Sequence, residues 1–100
     1  MSRKITPVNN KQGFQIIVMP ALAQHTLFEK NYCDLCGKQT DVNEDVYYEA
    51  VIDNFYCEKC HRLYLSNATR YKSDIKYEVE NFNKARFKLE GANWWNIRLF

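Results

Sequence analysis

The apolar positions of this chain fall into short runs at two spacings, and the runs mark its elements. Phe14-Gln15-Ile16-Ile17-Val18-Met19 is rich in β-branched residues and predicts a strand, ended by Pro20, which has no N–H to give to a ladder. Thr26 to Tyr32 predicts a weaker second strand, joined to the first through Ala21–His25 as a hairpin or a looser pair. Val46-Tyr47-Tyr48-Glu49-Ala50-Val51-Ile52 is the strongest strand pattern. Asp53-Asn54 reads as a turn, and Phe55-Tyr56-Cys57 returns as the partner strand. Beyond it the spacing changes to helical, first over Arg62 to Ala68 and then over a longer stretch.

That longer stretch opens on Ser73-Asp74, an N-cap signature with an acid in the first turn, and predicts a helix over 73–90 that stops at Gly91. At about 100° per residue, Ile75, Val79, Phe82 and Leu89 share one arc and form the expected core face. Arg86 falls in the same arc and would have to reach outward. The opposite side gathers Lys76, Lys84 and Lys88 with Tyr77 and Phe87, and Glu80 lies among them. Residues 1–12 are polar and read as a loose arm ending at Gly13. The chain closes on an apolar, aromatic tail over 92–100 that contains Trp94 and Trp95.

Four cysteines in two pairs, Cys33-Asp34-Leu35-Cys36 and Cys57-Glu58-Lys59-Cys60, lie 20 residues apart, and there is no fifth. Two residues between cysteines let both thiolates of a pair point at one ion, and the intervening segment is long enough to bring the second pair opposite. Four soft sulfurs at the corners of a tetrahedron suit a structural Zn²⁺, with iron, which thiolates also bind, as the alternative ion. Such a closed shell leaves no coordination position for water, so the zinc would hold the fold and perform no chemistry. Two disulfides would need an oxidising compartment, and Met1 to Pro7 lead into no apolar signal region. A redox centre of thioredoxin type uses a single pair in a βαβ setting.

The two pairs have different surroundings. Gly37 follows the first and permits the positive φ of a tight knuckle. His61 follows the second, ahead of the helical run, so Cys57 and Cys60 are expected on the first turn of a helix, where the dipole favours thiolate. His61 itself is expected at the surface or beside the sulfurs. A knuckle, a hairpin and a cysteine pair that opens a helix resemble the treble-clef zinc finger over residues 32–68. The resemblance is carried by Cys33-x-x-Cys36-Gly37, the Tyr47–Tyr56 hairpin and Tyr56-Cys57-x-x-Cys60-His61. It implies a small α+β fold stapled by one structural Zn²⁺ on Cys33, Cys36, Cys57 and Cys60. It does not choose a function, because treble clefs serve in ribosomal proteins, transcription factors, protein-docking LIM domains and HNH nucleases alike. The hairpin here contains no histidine, the residue an HNH nuclease would need there, so a nuclease-like enzyme is disfavoured.

Composition narrows the rest. One hundred residues make one domain, with residues 13–100 as the zinc-binding unit. Seven Tyr, six Phe and two Trp are more rings than a core of this size easily buries, so some lie at a contact surface or, as tyrosines with polar tips, line the surface of a small core. A net charge of +2 makes no blanket case for nucleic acid. Six acids against two lysines over residues 29–49 leave a local charge of −4 there. The longest apolar stretch, Phe14 to Ala23, is too short to span a bilayer, and a reducing cytoplasmic location is expected.

These features point to a non-enzymatic accessory module that binds a protein partner and no small-molecule substrate. Trp94, Trp95, Tyr77 and Phe87 are the candidate contact residues. The usage of an AT-rich genome, together with this small size, would suit a bacterial or phage-encoded accessory protein. Nucleic-acid binding through Lys76, Lys84 and Lys88 is the alternative, set against a solvated helix face with Tyr77 and Phe87 packed on the N-terminal strands.

Overall fold

Strand β2 (Ile16–Pro20) forms where the β-branched run predicts it, and Pro20 ends it. The computed structural model describes residues 6–7, 10 and 12–92. Antiparallel pairing joins β2 to β3 (Asp45–Glu49), and β3 to β4 (Asn54–Cys57), in a three-stranded sheet. Thr6–Pro7, inside the segment read as an arm, add a two-residue strand β1 outside β2, with Thr6 opposite Val18. The expectations on Trp94, Trp95 and the remainder of the tail lie outside the described residues.

The register gives the sheet two different faces. One row runs from Met19 to Val46, and the next from Ile17 through Tyr48 to Phe55. These residues form the main core with Ala21, Ala23, Ala50, Ala85 and Leu89, and Leu27, Phe28 and Phe82 pack against it. The alternate rows carry Glu49 opposite Ile16 and Asn54, and Tyr47 opposite Val18 and Tyr56. The period of two along each strand makes this division unavoidable.

Two expectations fail between Pro20 and Tyr32. The expected connection is helix α1 (Ala21–Leu27), and the weak second strand over Thr26–Tyr32 is absent. Ala21 and Ala23 are strong helix formers, and Pro20 stands before them at the N-cap in an extended conformation. The aromatic and β-branched residues that suggested a strand are used for packing instead. Phe28 places its ring 5.0 Å from that of Phe55 and 6.3 Å from that of Tyr48. Glu29 at φ 53° then turns the chain out of the helix.

The hairpin strand is also shorter than its apolar run. After Glu49 the chain turns over Ala50–Asp53, with Ile52 N–H donating to Glu49 O at 3.2 Å and Asp53 N–H to Ala50 O at 3.3 Å. Asp53 takes φ 54°, a region Asp tolerates better than the β-branched residues before it. The Tyr48 hydroxyl donates to its carboxylate at 2.6 Å.

Two helices follow the hairpin, α2 (Glu58–Asn67) and, after a 3₁₀ turn over Lys72–Asp74, α3 (Ile75–Gly91). The Ser73-Asp74 signature makes no side-chain cap, because the 3₁₀ turn occupies the place where the cap was expected. Gly91 ends α3 without a left-handed φ. The core stripe of α3 is rotated from the expected one. Glu78, Ala85 and Leu89 are buried and Phe82 packs beside them, whereas Ile75 is half-buried and Val79 is exposed.

Hydrophobicity alone points away from Glu78. Tertiary partners admit it: Arg70 donates to Oε1 at 2.8 Å, and the Gln15 backbone N–H donates to Oε2 at 2.8 Å. Asn81 adds a hydrogen bond to Ala50 O at 2.8 Å, so polar groups orient this helix on the hairpin turn. Among the described residues, no helix is long and apolar enough to cross a membrane.

Candidate metal centre

The knuckle is built from the residues around the first cysteine pair. Cys33 N–H donates to Lys38 O, and Gly37 N–H donates to Cys33 O, both at 2.9 Å. Gly37 adopts φ 76°, the left-handed conformation its position was expected to require. Tyr32 bridges to Gln39, and Thr40 N–H donates to Asn31 O at 2.9 Å, closing a small antiparallel loop. Helix α1 holds this loop from behind. The buried Gln24 side chain donates to Tyr32 O at 3.0 Å and accepts from Thr40 Oγ1 at 2.7 Å, while His25 Nε2 lies 2.9 Å from the same hydroxyl.

Asp34, between the two knuckle cysteines, fastens the loop to the hairpin. Its backbone N–H donates to Phe55 O at 2.8 Å, and its Oδ2 accepts from Phe55 N–H at 2.8 Å. Lys30 Nζ sits 3.0 Å from both carboxylate oxygens. Such charge-assisted bonds to backbone N–H are among the stronger ones. We expect Asp34→Ala to lower stability by about 1–3 kcal/mol, since the Phe55 N–H and Lys30 both lose their acceptor. Denaturant melts of metal-loaded protein would read this, and an unchanged midpoint would show that the knuckle is held without Asp34.

The second pair lies where strand passes into helix. Cys57 is the extended N-cap of α2, and Cys60 is in its first turn beside the acid Glu58. As a result the four sulfurs, from the knuckle and from the β4–α2 junction, all lie within 4.8 Å of one another. Cys33, Cys57 and Cys60 are buried and Cys36 is exposed. The four cysteines therefore stand close enough to hold a metal ion.

The donor set fits a tetrahedral thiophilic ion. Four sulfurs on a sphere of about 2.3 Å radius stand roughly 3.8 Å apart, so a contraction of about 1 Å at most would close the shell. Protonation at the site is already uneven. Burial raises the Cys33 thiol, but the backbone N–H groups of Cys36, Cys57 and Leu35, with the Cys36 thiol, bring it down to about 7. Burial and hydrogen bonds to the sulfurs of Cys57, Cys33 and Cys36 push Cys60 up to about 12. Four crowded thiols thus resist sharing negative charge until a cation balances it.

Comparison of the chain with family models, with curated proteins and with solved structures gave no match. The chemistry of the four sulfurs and their supports therefore carries the functional argument.

One support was not legible in the sequence. His61 is not a surface residue: it is 6% exposed, and its Nδ1 is 2.6 Å from Oε2 of Glu49, which is 0% exposed. The ring stacks on Tyr47 at 4.0 Å between centroids and 7° between planes. This buried contact presses the first turn of α2, and with it Cys60, onto strand β3. Among the described residues Glu49 Oε1 has no hydrogen-bond partner, and burial raises the Glu49 carboxyl above its ordinary value although His61 opposes the shift. The available signal was the fourth residue of Val46–Ala50, a carboxylate in an otherwise apolar strand pattern. Only the register opposite α2 gives it a partner.

The two surface groups of candidates are separated from this centre by the sheet, on the outward side of α3. Tyr77 is 60% exposed and Phe87 is 77% exposed, so neither packs on the N-terminal strands. Lys76 and Lys84 are exposed beside them. Lys88 bends toward α1, with Nζ 3.4 Å from Leu27 O and 5.2 Å from the centroid of Phe28.

Proposed function

We propose that Cys33, Cys36, Cys57 and Cys60 hold one structural Zn²⁺ in a treble-clef-like arrangement, and that the domain is a non-enzymatic module that binds a protein partner. The observation that carries the metal is the convergence of four sulfurs within 4.8 Å from two separate elements. Zinc is favoured over harder ions because all four donors are thiolates, and over catalysis because four protein ligands close the shell. A reducing compartment suits such a site, since oxidation would consume the ligands.

The binding role rests on the outer face of α3. A phenylalanine 77% exposed and a tyrosine 60% exposed project from one 17-residue helix whose other side is fastened into the core. Rings on a rigid element lose little conformational entropy on contact, which is why aromatic residues recur as interface anchors. Tyr77→Ala combined with Phe87→Ala is expected to abolish partner capture while changing stability by no more than about 0.5 kcal/mol. Quantitative comparison of proteins retained by wild-type and variant baits reads the first effect, and a thermal melt reads the second. Identical retention by both baits would sink the assignment of this face.

A second reading is favoured by the same exposure. Lys76 and Lys84 flank the two rings, an arrangement in which phosphates would meet the ammonium groups and bases could stack. Fluorescence anisotropy with short single-stranded DNA and RNA at low salt separates the readings. Binding that weakens steeply with salt, and that Lys76→Glu with Lys84→Glu removes, would replace the protein partner by nucleic acid.

A further inference from the structure

The outward side of α3 carries Tyr77, Glu80, Lys84, Phe87 and Gly91, spaced alternately by three and four residues. This is the spacing of the seam along which two helices pack, and it lies opposite the Glu78–Phe82–Ala85–Leu89 stripe that faces the core. The order of residues along it is symmetric in a way that matters chemically. In an antiparallel helix pair related by a two-fold axis, positions equally distant from the axis face each other. With the axis at position 82, Tyr77 falls opposite Phe87 of a second helix, and Glu80 falls opposite its Lys84.

We infer that this face is a self-association surface and that its occupant is the α3 helix of a second copy of this chain, antiparallel, with two Glu80–Lys84 pairs flanked by two Tyr77–Phe87 contacts. The inference rests on the reading of Tyr77 and Phe87 as protein-binding residues, and it names their partner. Self-complementarity of both charge and apolar contact about one axis is what a two-fold interface demands. Parallel packing would place Glu80 against Glu80 and Lys84 against Lys84, so the charges also select the antiparallel direction. No hydrogen bond or ion pair within the described residues engages Glu80 or Lys84.

The ends of the seam are compatible with close approach. Gly91 at one end of the seam meets the 3₁₀ turn that carries Ser73 before the other end, two small residues. Lys76 and Lys88, like Asp74 and Glu90, stand equally far from the axis but on opposite flanks of the seam, so these like charges do not meet, and Lys88 is already drawn toward Leu27 O and the Phe28 ring. The rings of one face are separated by ten residues, about 15 Å along the axis, so the contact spans roughly three turns. A contact between two single helix faces is small, so weak, concentration-dependent association is expected.

Sedimentation equilibrium of the zinc-loaded full chain, from about 10 to about 500 μM, tests the inference. Wild type is expected to pass from monomer to dimer across that range. Lys84→Glu alone, or Glu80→Lys alone, sets like charges opposite each other and should weaken the dimer roughly tenfold or more. Glu80→Lys combined with Lys84→Glu exchanges the charges and should restore it. All of these sites are exposed, so the variants keep the fold, which circular dichroism and zinc content would verify. A wild-type chain that is monomeric throughout, or single and double variants that dimerise equally, would overturn the inference. In either case differential capture by the Tyr77/Phe87 alanine variant would still test the broader protein-binding role independently.

Discussion

Cys36→Ser should abolish cooperative folding, although the side chain it replaces is exposed. Serine nearly matches cysteine in volume, and an exposed substitution of this kind ordinarily changes stability by no more than about 0.5 kcal/mol. If the four sulfurs hold zinc, the variant instead loses one ligand of four in a domain whose second, smaller core consists of Cys33, Tyr56, Cys57 and Cys60 with Tyr64 against them. Zinc binding in small domains is worth on the order of 10 kcal/mol, as much as the whole stability of a domain this size. The knuckle and the start of α2 should therefore separate.

Chelation of the wild-type protein should produce the same state, and readdition of Zn²⁺ should reverse it. Near-ultraviolet circular dichroism and a colorimetric zinc assay on the released metal would follow both. Cys36→Ser serves this purpose better than Cys57→Ser, because Cys57 is also a buried N-cap residue whose loss perturbs packing directly. A Cys36→Ser protein that melts cooperatively near the wild-type temperature without metal would remove the structural role of zinc.

The second large effect is expected at the contact between α2 and β3. His61→Ala removes the one hydrogen-bond partner that the described residues give a carboxylate 0% exposed, whose other oxygen has none among them. Breaking a buried polar pair from one side costs about 3–5 kcal/mol, because an uncompensated charge stays behind. The loss of the Tyr47 stacking contact adds to this. Glu49→Gln in the His61→Ala background should recover part of the loss by removing the charge.

The pH dependence has a definite sign. Burial raises the folded-state Glu49 carboxyl above its ordinary value. Removal of His61, which pulls it down, raises it further. A folded carboxyl that binds its proton more tightly than the unfolded one stabilises at acid pH, and that contribution fades as pH rises above the unfolded value. The deficit of His61→Ala relative to wild type should therefore be smallest near the ordinary carboxyl pKa and grow toward neutral pH. Urea melts across that interval would measure it, and a deficit independent of pH would mean that His61 acts through packing alone.

Local chemistry settled those parts of this protein in which a short run of residues suffices. The first cysteine pair and Gly37 define a knuckle whose geometry depends on its own backbone, and the structure has it with Gly37 at φ 76°. The strand before Pro20 and the hairpin before Cys57 follow from β-branched and aromatic runs bounded by turn residues. The helix after Cys57 follows from spacing. Each of these is decided by interactions within about ten residues, so the order of side chains is enough to read it.

Contacts distant in sequence decided the rest. Thr26–Tyr32 has strand-like composition, but Phe28 is drawn to Phe55 and Tyr48, and α1 forms instead. The rotation of α3 is set by Arg70 and the Gln15 backbone, whose hydrogen bonds make Glu78 more stable inside than Val79. Asp34 acquires its role from a backbone N–H 21 residues away, and Glu49 from a histidine 12 residues away. A hydropathy pattern assigns polar groups to the surface because an isolated one is costly to bury. Only the tertiary structure shows which of them have partners, and in this protein those partnered groups orient the helices around the four sulfurs.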